Sequence, residues 1–416
     1  MSFLRLLGLS LIVQTSLLAN AQTWNPMQLQ HSARSVSTMG DAVYAASIGL
    51  GVYRTYDDAG GWTLANTGLP NPGTIRSIGR TGNVLLAGFL PQNDVHQVYR
   101  STDGGNTWQI SNSGIPAANT AVPQIPFPNK FFRVNGVTLV LLTNTIANGG
   151  GMYRSDNDGL NWSMGHSGMN SNMVVHHIAY TNWAMFAATS TGIYTSTNGA
   201  LNWQAVPGTN YNTFALQIVG NRMIAVSDFG VRYSDNWGAT WNNSAGLPSV
   251  INRGELISYD GKLFLSTGSN QNTAQVYRST DNGVTFSLYQ TGLSSFDQLN
   301  QNQFHASPSK LYMGALEDVY WVQGTSVDMA EDELASIALY PTVFQDGFTV
   351  DLSSLSATST LVITDAAGRE VHRIDALPAA PVRIPRGDMV AGRYHCYLID
   401  TKTGTRREVG QVIADR

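Results

Sequence analysis

Cysteine and charge are both scarce in this chain. Cys396 is the only cysteine in 416 residues, so no intramolecular disulfide can brace the fold. Stability has to come from packed apolar surface. Charged side chains make up 12% of the sequence, and the formal net charge is −4. A nucleic-acid or anionic-membrane partner calls for a strong basic excess, so neither is expected. Helical periodicity is missing before residue 326, and no glycine-rich phosphate loop precedes a helix. Long apolar runs are missing as well. The one candidate, residues 6–18, follows Arg5 and ends at Ala19-Asn20-Ala21, the pattern of a signal peptide over residues 1–21. No later stretch approaches the roughly 18 apolar residues of a membrane-spanning helix, so the exported chain should lack a transmembrane segment.

What the chain does have is a repeat. The pattern S-x-(D/N)-x-x-x-x-W recurs from Thr55, Ser101, Ser155, Ser196, Ser234 and Ser279, at intervals of 38 to 54 residues. The aromatic ends are Trp62, Trp108, Trp162, Trp203, Trp241 and Phe286. Each copy follows a strand-like run such as Gln97-Val98-Tyr99-Arg100, which places the motif in a hairpin turn. A short Asp or Asn side chain can accept hydrogen bonds from backbone N–H groups just ahead of it, and the following Gly tolerates positive φ. The terminal aromatic then starts the outgoing strand and presents a large apolar face.

These units resemble the Asp-box, or BNR, repeats of sialidases, xyloglucanases and sortilin-type propellers. Ser101-Thr102-Asp103-Gly104-Gly105-Asn106-Thr107-Trp108 is the fullest copy. Asn157, Asn198 and Asn236 stand where the family usually has Asp, and Ala59 and Ala200 each replace a Gly. The resemblance covers residues 22–325 and implies an all-β propeller fold. In that family the box is a structural turn away from the catalytic face, so Asp57, Asp103 and Asp281 are read as turn residues.

Upstream of the boxes, Val36, Ile78, Phe132, Ile178, Leu216, Leu256 and Phe304 each lie seven residues before an apolar strand position (Val43, Leu85, Leu139, Met185, Met223, Leu263 and Leu311). Seven such strands and six boxes predict a seven-bladed β-propeller whose last blade, around Phe304 to Val322, lacks its own outer strand. Thr23-Trp24 matches the end of a box, so residues 23–28 should complete that blade and close the ring.

Composition shifts near residue 326. Residues 326–416 hold nine basic and thirteen acidic side chains, and all nine Trp lie before residue 322. An acidic linker at 326–337 (Asp328, Glu331, Asp332, Glu333) leads into alternating strand signals at 348–352, 361–365 and 393–399, which read as a small Ig-like β-sandwich over 338–416. Leu339-Tyr340-Pro341-Thr342-Val343-Phe344, Asp365-Ala366-Ala367-Gly368-Arg369-Glu370-Val371 and Met389-Val390-Ala391-Gly392-Arg393-Tyr394 resemble the type A C-terminal sorting domain of type IX secretion cargo from Bacteroidetes. That resemblance implies type IX secretion machinery as a partner and a secreted or outer-membrane-surface location reached through the periplasm.

Two positions before the shared apolar residues lie Arg34, Arg76, Lys130 and His176 in the first four blades, with Glu255 and His305 close to that position in blades six and seven. Together they form the expected ligand-binding rim, a positive mouth suited to an anionic polysaccharide or protein ligand. Arg54, Arg100, Arg154 and Arg278, each just before a box, are expected to bridge blades. Catalysis has thin support. Only Glu255 and Glu317 supply Glu to the propeller, and Glu255 is the one candidate catalytic carboxylate. A sialidase-like site would recruit Arg34 and Arg76 with Arg133 or Arg253, and Tyr259. A xyloglucanase-like site needs two carboxylates, about 6.5–9.5 Å apart. Its further choices are Asp41, Asp94, Asp228, Asp260, Asp297, Glu317 and Asp318, of which Asp41 and Asp260 read as turn residues. His176-His177 should point to opposite faces of a strand, a poor metal pair, and no cofactor or metal is expected. Phe89, Trp183, Tyr211 and Trp237 are candidate sugar-stacking aromatics. The expected function is a glycan- or protein-binding propeller, with glycoside hydrolase and non-catalytic assembly or scaffold factor as alternatives.

Overall fold

In the computed structural model the described residues form nine antiparallel-dominated sheets, and seven of them, all four-stranded, occupy residues 25–323. The structure describes residues 23–56, 61–70, 75–90, 98–116, 125–248, 251, 254–267, 275–293, 304–324, 338–340, 343–351, 359–365, 369–375, 377, 381–400 and 406–415. The expected signal peptide, the acidic linker and Asp57 of the first repeat lie outside them. Among the described residues the one helical element is a 3₁₀ turn, Ile146–Asn148.

The innermost strands of sheets 1 to 7 are Ser35–Met39, Ile75–Thr81, Pro128–Val134, Val175–Tyr180, Thr213–Val219, Gly254–Tyr259 and Phe304–Ala306. Each lies beside the next in chain order and the last lies beside the first, so the sheets ring a central channel as a β-propeller. Closure uses both ends of this region. Asn25–Pro26 pairs antiparallel with Val319–Gln323 and supplies the fourth strand of sheet 7. Trp24 is buried and stacks on Phe304, with 6.3 Å between centroids. Next to it, the buried Asp318 carboxylate accepts hydrogen bonds from the N–H groups of Gln28 (2.9 Å), Leu29 (2.7 Å) and Val319 (2.7 Å). That clasp satisfies backbone donors that burial would otherwise leave unpaired.

The five repeated turns that lie wholly within the described residues use one arrangement. In the copy at Ser101, the serine hydroxyl donates to Asp103 Oδ1 (2.8 Å), while the Gly105 N–H donates to Ser101 Oγ (2.9 Å) and the Thr107 N–H to Asp103 Oδ1 (2.9 Å). Asn157, Asn198 and Asn236 substitute for Asp without loss, because each needs only Oδ1 as an acceptor. The N–H groups of Asn161, Asn202 and Thr240 reach it at 2.9, 3.0 and 2.8 Å. Ala200 keeps the turn at φ +63°, a left-handed conformation that costs a non-glycine residue about 1–2 kcal/mol.

The turns ending at Trp108, Trp162 and Trp203 also tie their sheets to the ones before. Trp108, Trp162 and Trp203 are buried and donate Nε1 to the carbonyls of Ala65, Ser111 and Gly165. Arg54, Arg100 and Arg154 reach forward to the carbonyls of Gly104, Asp158 and Gly199 in the next turn, at 2.8, 3.0 and 2.9 Å. These arginines therefore bridge neighbouring sheets. Arg278 differs, its guanidinium lying 4.4 Å from the centroid of Tyr289.

Beyond residue 338, a three-stranded sheet (Ala338–Tyr340, Gly347–Asp351, Val382–Pro385) and a five-stranded sheet (Val343–Phe344, Arg406–Ala414, Gly392–Asp400, Ser359–Asp365, Glu370–Ile374) share one core that includes Phe348, Ile363, Ile384, Tyr394 and the buried Cys396.

Candidate functional site

The inner strands begin irregularly, and that decides which side chains meet. In sheets 2 to 5 the second residue of the inner strand is bulged out of register: Arg76, Asn129, His176 and Phe214. Arg34 takes the same place in sheet 1, where its N–H donates to Ala46 O (2.8 Å) next to the Ser35↔Ala46 pair. Bulges re-aim side chains at strand ends.

Sheet 3 corrects the sequence alignment by one residue. The equivalent of Arg34, Arg76 and His176 is Asn129, while Lys130, opposite Leu141, shares its level with His177 opposite Ala188 and Glu255 opposite Ser266. Likewise Phe131, and not Phe132, matches Val36 and Ile78. The cause is the residue type at the anchor position, since Thr138, paired with Ser155, stands where the other sheets have Val43, Leu85, Met185, Met223 and Leu263. Thr138 is buried and tolerated there because its hydroxyl lies 2.6 Å from Thr81 Oγ1. A polar residue at an apolar position made Leu139 the better match by sequence alone.

The expected rim separates into two groups. At the mouth, Arg34 and Arg76 bracket the Phe127 ring, with guanidinium carbons 5.9 and 5.4 Å from its centroid. Burial and the adjacent Arg76 charge pull the Arg34 pKa down to about 10, and burial lowers that of Arg76. Two cations held side by side in a half-buried site favour an anion between them. His176 stands apart, its ring 5.8 Å from Phe214.

Deeper, a cavity of about 190 Å³ is lined by all seven inner strands. Lys130 and Glu255 form an ion pair in it, joining sheets 3 and 6 across the channel, and His177 Nε2 lies 3.7 Å from Glu255 Oε1. Burial, with the Lys130 charge second, holds His177 well below the ordinary imidazole range, so it is neutral at pH 7. His305 lies further down. Its Nε2 accepts from the Thr38 N–H (3.1 Å) and is 2.9 Å from Thr38 Oγ1. Burial, followed by the Arg80 charge, pulls its pKa down to about 3. His305 is thus a neutral link between sheets 7 and 1. Among the described residues lining the cavity, Glu255 is the only carboxylate.

Other candidates fall away from this centre. Arg133 pairs with Asp158 and does not join Arg34 and Arg76. Tyr259 is buried at the far end of its strand, and Asp260 beside it sits in a turn, bound by Lys262. Asp41 is exposed in its turn, while Asp94, Arg253 and Asp297 lie outside the described residues. Phe89 is 2% exposed and belongs to the core, whereas Trp183 is 52% exposed and packs edge-on to Trp237 at 5.1 Å. Sequence reasoning missed Phe127, for which there was no periodic signal. It also passed over His177, which equivalence to a correctly aligned Lys130 would have found.

No family model matches the chain, and no curated protein does. Among solved structures, YCF48 bound to D1 peptide aligns with a TM-score of 0.53 and 16% identity over 74% of this chain and 98% of its own. The WD40 β-propeller domain of Doa1 gives 0.51 and 14% over 73% and 97%. An ancestral GH74 enzyme gives 0.51 and 13% over 93% of this chain and 63% of its own. At such identities these likenesses establish the propeller fold and leave the ligand to this chain's own residues.

Proposed function

We propose that this chain is a secreted or cell-surface Asp-box β-propeller of seven blades, exported by type IX secretion, that binds an anionic glycan or protein segment at the channel mouth. The signal peptide at 1–21 and the sorting domain at 338–416 would deliver the propeller of residues 22–325 to the cell surface. The observation that carries the binding reading is the half-buried pair Arg34 and Arg76 around Phe127, two cations with an apolar plate between them. That YCF48 has been solved with a bound peptide gives a precedent for a single propeller acting as a binder.

Hydrolysis is the weaker reading. Glu255 is tied to Lys130, and the described cavity wall offers no second carboxylate to activate a water. The test is incubation with acidic and neutral polysaccharides and with acidic peptides, scoring retention and released reducing sugar together. Retention of an acidic polymer, weakened at least tenfold by Arg34→Ala or Arg76→Ala, is the expected result. Release abolished by Glu255→Gln would replace it with an enzyme.

A further inference from the structure

Seven equivalent positions on the third strands reveal one departure. Tyr53, Tyr99, Tyr153, Tyr194, Tyr277 and Tyr320 face the same step of the outer strand in six sheets, opposite Leu64, Ile110, Met164, Ala205, Leu288 and Pro26. In sheet 5 that position, opposite Asn243, is Arg232. The neighbouring order is inverted too, Arg232-Tyr233 in place of Tyr53-Arg54 or Tyr153-Arg154. A cation has been put where the repeat otherwise packs a phenol.

Its surroundings are built from aromatic rings and idle polar atoms. The Arg232 guanidinium lies 4.5 Å from the Tyr211 ring centroid, 5.0 Å from Phe229 and 5.6 Å from Trp241. Arg232 Nε and Nη2, Tyr211 OH, Asn212 Oδ1 and Trp241 Nε1 are all buried without a hydrogen-bond partner. The indole is exceptional in this respect. Trp24, Trp62, Trp108, Trp162 and Trp203 each donate Nε1 to a backbone carbonyl. Leaving one buried polar group unpaired costs about 1–3 kcal/mol, so several gathered around one cation need an occasional partner. Phe229 lies over the cluster from the turn between Arg222–Ser227 and Gly230–Ser234, 65% exposed and edge-on to Tyr211 at 5.4 Å.

We propose that the Arg232 cluster is a binding subsite for a uronic-acid unit of an acidic glycan, with Phe229 as its movable cover. The chemistry matches group by group. The guanidinium takes the sugar carboxylate through parallel N–H bonds, the mode for which arginine is suited. Tyr211 OH and Trp241 Nε1 donate to the ring or hydroxyl oxygens, and Asn212 Oδ1 accepts from a hydroxyl. Phe229, turned aside, meets the C–H face of the ring. A neutral sugar would leave the cation unanswered, and a simple inorganic anion would leave the indole and the amide oxygen idle. This site is separate from the channel mouth and does not depend on Arg34 or Arg76.

Isothermal titration of the full chain with tri-galacturonate, and with its carboxyl-reduced neutral counterpart, tests the proposal. Binding of the acidic trisaccharide should weaken at least tenfold in Arg232→Tyr, which restores the repeat residue and should keep or raise the thermal midpoint. Arg232→Gln should give the same loss, and Tyr211→Phe a loss of about threefold. No binding by the wild-type chain, equal binding of the neutral trisaccharide, or full affinity in both Arg232 variants would each overturn the subsite. Affinity lost only in Arg34→Ala would do so too, while leaving the channel-mouth reading intact.

Discussion

The two ends of the propeller sheets obey opposite rules. At the repeated turns, the described copies make the same hydrogen bonds whether the acceptor is Asp103, Asn157, Asn198, Asn236 or Asp281, and a buried aromatic closes nearly every one. At the opposite ends of the inner strands the equivalent positions hold Arg34, Arg76, Asn129, His176 and Phe214, no two adjacent pairs alike in chemistry after the first. A position whose job is finished by local backbone bonds repeats, and a position outside such a turn is free to vary. The same contrast picks out Arg232 among six tyrosines.

The sharpest way to break the contrast is at the structural end. Trp203→Ala removes a buried indole and its bond to Gly165 O, and should cost about 3–5 kcal/mol in denaturant unfolding while leaving ligand affinity per folded molecule unchanged. Next comes ring closure. Asp318→Ala leaves the N–H groups of Gln28 and Leu29 without their acceptor and should cost about 2–3 kcal/mol, read as a lower thermal midpoint.

A pH effect of slightly smaller size follows from His305. Its folded pKa, pulled to about 3, lies below its unfolded value, so the unfolded chain takes up the proton first as pH falls. The contribution is complete above the ordinary imidazole range and is lost progressively from there down toward pH 3. Between pH 7 and pH 4.5 it amounts to at most about 2.5 kcal/mol. Urea unfolding at the two pH values should show this slope in the wild type and a shallower one in His305→Gln. The smallest effect sharpens the comparison from within the turn. Asn157→Ala loses the acceptor shared by Ser155 and Asn161 and should cost about 1 kcal/mol, whereas Asn157→Asp keeps Oδ1 and should change stability by less than about 0.5 kcal/mol.

Much of the fold was legible because it is written in local chemistry. The turn motif announced the hairpins, Trp24 announced the closing strand, and Arg54, Arg100 and Arg154 were rightly read as bridges between sheets, whereas Arg278, read the same way, packs on Tyr289 of its own sheet. The site was legible only in part. Arg34 and Arg76 do meet, but Lys130 was placed one step off because Thr138 broke the apolar pattern at the anchor position. One residue matters in a strand, since side chains alternate faces with a period of two.

By itself the sequence determined the repeat, its turns and the succession of strands, because those follow from hydrogen bonds and apolar spacing within a few residues. The Lys130–Glu255 pair between sheets 3 and 6 and the neutral state of His177 and His305 were decided only when the ring closed, while the bulges and the aromatic cover over Arg232 were decided by the packing of single sheets. Closure brings residues more than a hundred positions apart to one channel and strips them of water. Both the partner and the charge of such a side chain depend on that enclosure, which local sequence does not encode.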